Sequence, residues 1–205
     1  MAKKKSNMKI IVFSVIGVVL VALILLVVFG GKKEEVITAE YKKPADAIYG
    51  VKSGIVTLDY NGILIGEFYF DDYGKKEASY AVKTGKAVSV AMQDAIQVDS
   101  VLIEYDLQRK KGTKTISYVS LGRLGLQGWS ELKEEEKEFL DKKCKGYETT
   151  MDGMKAKVWV WEEIILCTEL FDRRNRVTEV KASKLEVNVP IPADKFQVPP
   201  DISIK

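Results

Sequence analysis

Four aromatic side chains stand out by type and spacing. Trp159 and Trp161 alternate with Val158 and Val160, and Phe68 and Phe70 flank Tyr69 in another stretch. In an extended chain alternate residues leave the same face, so the members of each pair project together. Two chemistries suit such pairs. One is the packing of a core. The other is the lining of an apolar ligand cavity, where tryptophan tolerates a half-wet mouth. The residues alone leave both open; on the second reading Phe68, Phe70, Trp159 and Trp161 are the ligand-binding residues.

The remaining reactive residue types form no convergent set. Histidine is absent, which removes the commonest general base, any Ser-His or Cys-His pair and most transition-metal sites. Cys144 and Cys167 form no CxxC and cannot build a structural zinc site alone. A disulfide between them would suit an oxidising compartment, but one intervening strand in a meander makes the Cα separation long. Gly122, Gly125 and Gly128 precede an expected helix start, yet the spacing is neither the P-loop nor the dinucleotide pattern. A joint between elements explains them. Asp71 and Asp72 are adjacent, so an extended chain points them apart, and a turn accounts for both. Glu134, Glu135 and Glu136 read as a solvated helix face. The expectation is therefore no catalytic residue, no cofactor, no metal and no enzyme.

Placement in the cell follows from the first thirty residues. Lys3, Lys4, Lys5 and Lys9 make residues 1–9 a basic tail without an acid. Residues 10–29 (IIVFSVIGVVLVALILLVVF) carry no charge. As a helix they would span about 30 Å, the hydrocarbon thickness of a bilayer. A cleaved signal peptide would have a shorter apolar core and a small-residue cleavage site, and Phe29-Gly30-Gly31 is a poor one. The expectation is a retained transmembrane helix with a cytoplasmic N-terminus and the rest of the chain extracytoplasmic, in the periplasm or an equivalent space. Residues 30–47, with Pro44, read as a linker, and residues 48–205 as the outer domain. Beyond residue 29 the chain holds 28 basic and 29 acidic side chains. That near-neutral balance lacks the basic footprint of a nucleic-acid binder.

The outer domain is dominated by period-2 patterning. Ile55–Tyr60 and Ile63–Phe70 flank Asn61-Gly62, the strongest short hairpin signal, because both central residues of a type I′ turn take positive φ. Val101–Leu107 and Thr115–Val119 predict another hairpin. Lys145–Thr149, Lys155–Trp161, Ile164–Phe171 and Val177–Val189 predict four more strands, and Glu77–Val90 is read as a further one. Ser130 is placed as the cap of a helix over 131–142, whose acids come early and lysines late. Pro190, Pro192, Pro199 and Pro200 predict an extended C-terminal tail. The expected fold class is α+β: one transmembrane helix plus a mostly antiparallel β half-barrel covered by one or more helices.

Several stretches carry a family likeness: YGVKSGIVT at 49–57, FYFDDYGKKE at 68–77, VWVWEEIIL at 158–166, Ile191-Pro192 and FQVP at 196–199. Together they resemble a family of bacterial envelope proteins that is similar to the lipoprotein carrier and receptor (LolA/LolB-like) half-barrels. The resemblance implies an incomplete antiparallel barrel with helices plugging an apolar concavity, which in carriers holds acyl chains. This chain departs from a shuttling carrier in its membrane segment, and no carrier gating residue matches a position here. The expected function is a membrane-anchored, extracytoplasmic binding module for an acyl chain or other apolar ligand, with lipid or lipoprotein as partner. The alternative is a structural protein of the cell envelope whose concavity is self-filled and whose edge strand or tail engages a protein.

Overall fold

In a computed structural model, residues 43–60, 63–82, 94–123, 128–151 and 154–205 are described. These residues form twelve strands: β1 (Gly54–Tyr60), β2 (Ile63–Asp71), β3 (Lys76–Ala81), β4 (Asp94–Val98), β5 (Val101–Asp106) and β6 (Lys111–Ile116) in the first half. The second half holds β7 (Ser130–Phe139), β8 (Lys142–Met151), β9 (Met154–Trp161), β10 (Ile164–Phe171) and β11 (Val177–Val187), with a short β12 (Ser203–Ile204) at the end. They join into one open sheet of order β12-β6-β5-β4-β3-β2-β1-β11-β10-β9-β8-β7. Every pairing is antiparallel except β12 on β6. All of these residues fall in one compact unit, Lys43–Lys205.

Register sorts the side chains of the first half onto two faces, because directly paired residues project together. One transverse row runs Ile55, Tyr69, Ala78, Ile96 and Ile103 across β1 to β5. The neighbouring row runs Val56, Phe68, Ser79, Ala95 and Glu104 on the opposite face. The first row is closed by the C-terminal tail. Ile191, Phe196, Val198 and Ile202 pack against Tyr69, Ala78, Ile96 and Tyr105. The Tyr80 hydroxyl donates to the Lys195 carbonyl at 2.5 Å, and the Lys195 ammonium lies 4.6 Å from the Tyr69 ring centre. The tail ends as β12, where Gly112 admits it: a Cβ there would stand 2.7 Å from Ile204 Cδ1.

The second row faces a strap. β6 and β7 are consecutive in the chain yet ten strand positions apart in the sheet. Flat, those ten steps would measure about 48 Å. Residues 117–129 offer at most about 50 Å fully extended. The connection is not straight, since Ser120 and Leu121 bond to Glu77 of β3 and Arg123 pairs with Glu163 at the β9–β10 turn at 2.8 Å. The sheet must therefore curl so that its two ends approach, which makes it an open half-barrel.

The expected α+β class is corrected by the structure. The regular secondary structure of the described residues is nearly all strand, with 3-10 turns at Asp72–Gly74 and Ala193–Phe196. The expected helix over 131–142 is strand β7 and its turn into β8. Its Glu and Lys content favours helix only weakly, and tertiary pairing overrides such propensity. No helix covers the half-barrel among the described residues; a strap and a tail cover it instead. None of their helices is long and apolar enough to cross a membrane, and the expected transmembrane span, residues 10–29, lies outside the described residues.

Candidate functional site

Between the strap and the sheet lies a partly open cavity of about 400 Å³. Its floor is the row Val56, Phe68, Ser79, Ala95 and Glu104, with Leu58 beside it. Leu166, Thr168 and Val180 from β10 and β11 make the far wall, and Leu121 and Gly122 of the strap roof it. The lining is mostly apolar, and a volume of this size falls in the range of small-molecule sites. β-Bulges at Thr57/Leu58 in the β1–β11 pair and at Ile165/Cys167 in the β9–β10 pair bend the sheet around it.

The roof is held by one buried carboxylate. Glu77 has no exposed surface. Its oxygens accept from the Tyr49 hydroxyl, from Ser120 Oγ at 2.6 Å and from the Leu121 backbone N–H at 2.8 Å. Tyr49 and Ser120 also touch each other at 3.0 Å. Burial pushes the Glu77 carboxyl above its ordinary value of 4.5, and the donors from Ser120, Tyr49, Leu121 and Gly122 oppose that shift. Burial, with the adjacent Glu77 charge, drives the Tyr49 phenol well above its ordinary range. Gly122 must be glycine where the strap descends: a Cβ would stand 2.4 Å from the Tyr49 oxygen and 2.6 Å from Phe68 Cζ. Ser120 sits beside a carboxylate, but its oxygen also accepts from Arg123 N–H at 3.2 Å. The arrangement positions backbone and presents no free nucleophile.

The four aromatic candidates share one hydrophobic cluster, in which Phe68, Phe70 and Trp159 are buried and Trp161 packs against it, but they stand differently to the cavity. Phe68 lines the cavity. Phe70 is fully buried beside it, its ring 4.5 Å from Tyr49 and 6.1 Å from Phe68. Trp159 is fully buried in the same cluster, with the Lys137 ammonium 4.4 Å from its ring and Phe139 at 6.5 Å. Trp161 is partly buried with Lys142 at 4.9 Å. The two tryptophans lie outside the cavity's lining. Alternation along β9 and β2 is readable from sequence. The partners Glu77, Tyr49 and Ser120, and Glu104 in the floor, are not singled out by any local pattern.

Two thiols and one carboxylate pair lie in the second half. Cys144 and Cys167 are both free and buried; burial raises the first thiol to about 11, and burial with Glu179 and Glu169 nearby raises the second to about 12. The ligand atoms of Cys167, Glu169 and Glu179 lie within 4.8 Å of one another, a set that could hold a metal. Both carboxylates are already balanced, Glu169 by Lys137 at 2.5 Å and Glu179 by Lys181 at 3.3 Å. An ion entering there would have to displace those ammonium groups.

No protein-family profile and no curated protein sequence matches the chain. Solved structures do match it in shape. A conserved protein from Thermus thermophilus superposes with a TM-score of 0.53 at 10% identity, over 76% of this chain and 90% of that one. The complex of MucA with MucB from Pseudomonas aeruginosa gives 0.50 at 11% identity, over 75% of this chain and 58% of that one. A LolA superfamily protein from Nitrosomonas europaea also matches, with a TM-score of 0.29 at 9% identity, over 72% of this chain and 90% of that one. The likeness to the first two of these structures, at 10% and 11% identity, is one of fold alone.

Proposed function

We propose that the chain is a non-catalytic binding module that takes an acyl chain or a similar apolar ligand beneath the strap of its half-barrel. The observation that carries this reading is the partly open, mostly apolar cavity of about 400 Å³. Core packing alone would close such a space, because protein interiors pack at crystal-like density. The apolar run at residues 10–29 supports a location at a membrane face, with the module on the extracytoplasmic side. Uptake of a neutral apolar dye, N-phenylnaphthylamine, by the full chain tests the reading. Saturable fluorescence enhancement, lost when Ala95→Phe fills the floor, is expected; no enhancement, or enhancement unchanged in that variant, counts against it.

A protein partner is a second reading, supported by one surface feature. Ile116, Tyr118 and Val119, where β6 passes into the strap, are 61%, 90% and 53% exposed. The tail, the other expected contact, is spent on its own sheet. A photo-crosslinker at position 118 that traps no defined protein in cells would dismiss this contact.

A further inference from the structure

The cavity has a chemical polarity beyond its oiliness. Among the described residues Glu104 is the one charged side chain of this lining, and it also borders a neighbouring open cleft that Arg109, Lys111 and Lys205 line from its other side. Register fixes the side on which Glu104 lies: it stands opposite Ala95 of β4, which stands opposite Ser79 and through it Phe68. The residue is half-buried. Its carboxylate has no hydrogen-bond or ion-pair partner among the described residues. Three acids elsewhere in the sheet, Glu169, Glu148 and Glu186, each meet an ammonium within 2.7 Å. Glu77 adds a second carboxyl group just behind the roof. A half-buried, unpaired carboxylate next to apolar surface is costly unless a donor or a cation reaches it. An acyl carboxylate would bring a second negative charge to the same wall and be repelled.

We propose that the preferred ligand is an amphiphile whose apolar chain fills the cavity and whose head is a cation or a strong hydrogen-bond donor held by Glu104. The head is then an ammonium or an amine-like group, and a free fatty-acid anion is discriminated against. This specificity rests on the binding function proposed above. The division of labour follows from the site: burial of the chain gives affinity, and the single charge selects the head.

Calorimetric titration of the full chain with decylammonium, decanoate and decanol, each below its aggregation concentration, reads the preference directly. Decylammonium should bind roughly tenfold or more tightly than decanoate, the scale of one charge-assisted hydrogen bond. Glu104→Gln should collapse that ratio towards one, and Glu104→Asp should retain a preference for the cation. Decanoate binding as tightly as decylammonium, or a preference that survives in Glu104→Gln, overturns the assignment of the head. If none of the three probes binds, the cavity reading itself fails and the head preference falls with it.

Discussion

Replacing Glu77 by leucine should cost the fold several kcal/mol at acid pH and less as pH rises. The carboxylate accepts from Tyr49, Ser120 and Leu121 N–H. Leucine accepts nothing. Tyr49 and Ser120 can still pair with each other at 3.0 Å, so one hydroxyl hydrogen and one backbone N–H are orphaned. Each buried orphan costs about 1–3 kcal/mol, so the loss is about 2–6 kcal/mol before any gain from removing a buried carboxyl group. That is a large share of the roughly 5–15 kcal/mol typical of a domain. Tyr49→Phe alone should cost about 1 kcal/mol, and less in the Glu77→Leu background, where only the contact with Ser120 is left to lose.

The sign of the pH effect follows from burial. The folded-state pKa of Glu77 lies above its ordinary 4.5, so between those two values the folded chain binds more protons than the unfolded one. Stability contributed by this group is then fully present below about pH 4.5 and declines as pH rises through the folded value. The acids held by salt bridges, such as Asp172 beside Arg176, act in the opposite direction. The difference between parent and Glu77→Leu isolates the Glu77 contribution and should shrink with rising pH. Urea unfolding followed by tryptophan fluorescence, with equal slopes for all variants, provides the free energies. A coupling between Tyr49→Phe and Glu77→Leu below about 0.5 kcal/mol, the scatter of independent sites, would refute the latch. So would a Glu77→Leu penalty that grows with pH.

Other perturbations address the roof and the thiols. Gly122→Ala should destabilise by about 1–3 kcal/mol, because its Cβ meets Tyr49 and Phe68 below contact distance; a thermal midpoint equal to the parent's would show that the strap sits higher. Cys144 and Cys167, with pKa values raised to about 11 and about 12, should resist alkylation at pH 8 in the folded chain and both react in urea, because the thiolate is the nucleophile. Fast labelling of either thiol without denaturant would contradict their burial.

The hairpins legible in the sequence are those with a strong turn signal or clean alternation. Ile164–Phe171 coincides with β10, and β1 and β2 differ from the expected ranges by a residue. The lost cases have physical causes of two kinds. The β7–β8 turn is Leu140-Asp141, both at positive φ (51° and 59°), where asparagine or glycine normally marks the geometry. β7 is an edge strand at the end of the sheet, and charged edges protect against unwanted pairing. Its Glu-Lys run therefore looks like a solvated helix when read locally. β4 (Asp94–Val98) escapes a sequence reading because four of its five residues are buried, polar Asp94 and Gln97 among them, which erases the alternation.

The site was legible only as far as local periodicity reaches. Phe68 and Phe70 share a face because they stand two positions apart in a strand, and that much required no fold. Glu77 lies opposite Phe70 in the β2–β3 pair, so counting back from the Asp71–Gly74 turn could have placed it on the same face. Its partners could not be counted in this way: Tyr49 is 28 residues before it and Ser120 43 residues after it. They meet because β6 and β7 occupy opposite sides of the sheet, which forces the connection between them across one face. That crossing is a property of strand order, which depends on β11 pairing with β1, a contact between segments far apart in the chain. A cavity beneath the crossing survives because Gly122 brings the strap down onto Phe68 while Leu121, anchored by its N–H on Glu77, stays over the floor. Replacing Leu121 by alanine should therefore enlarge the space without releasing the anchor, since the bond to Glu77 uses backbone. Dye uptake by Leu121→Ala should persist with altered affinity, whereas Glu77→Leu should loosen the roof itself. If Leu121→Ala abolished uptake while leaving stability intact, the roof would have to be a direct ligand contact and the latch would be secondary to it.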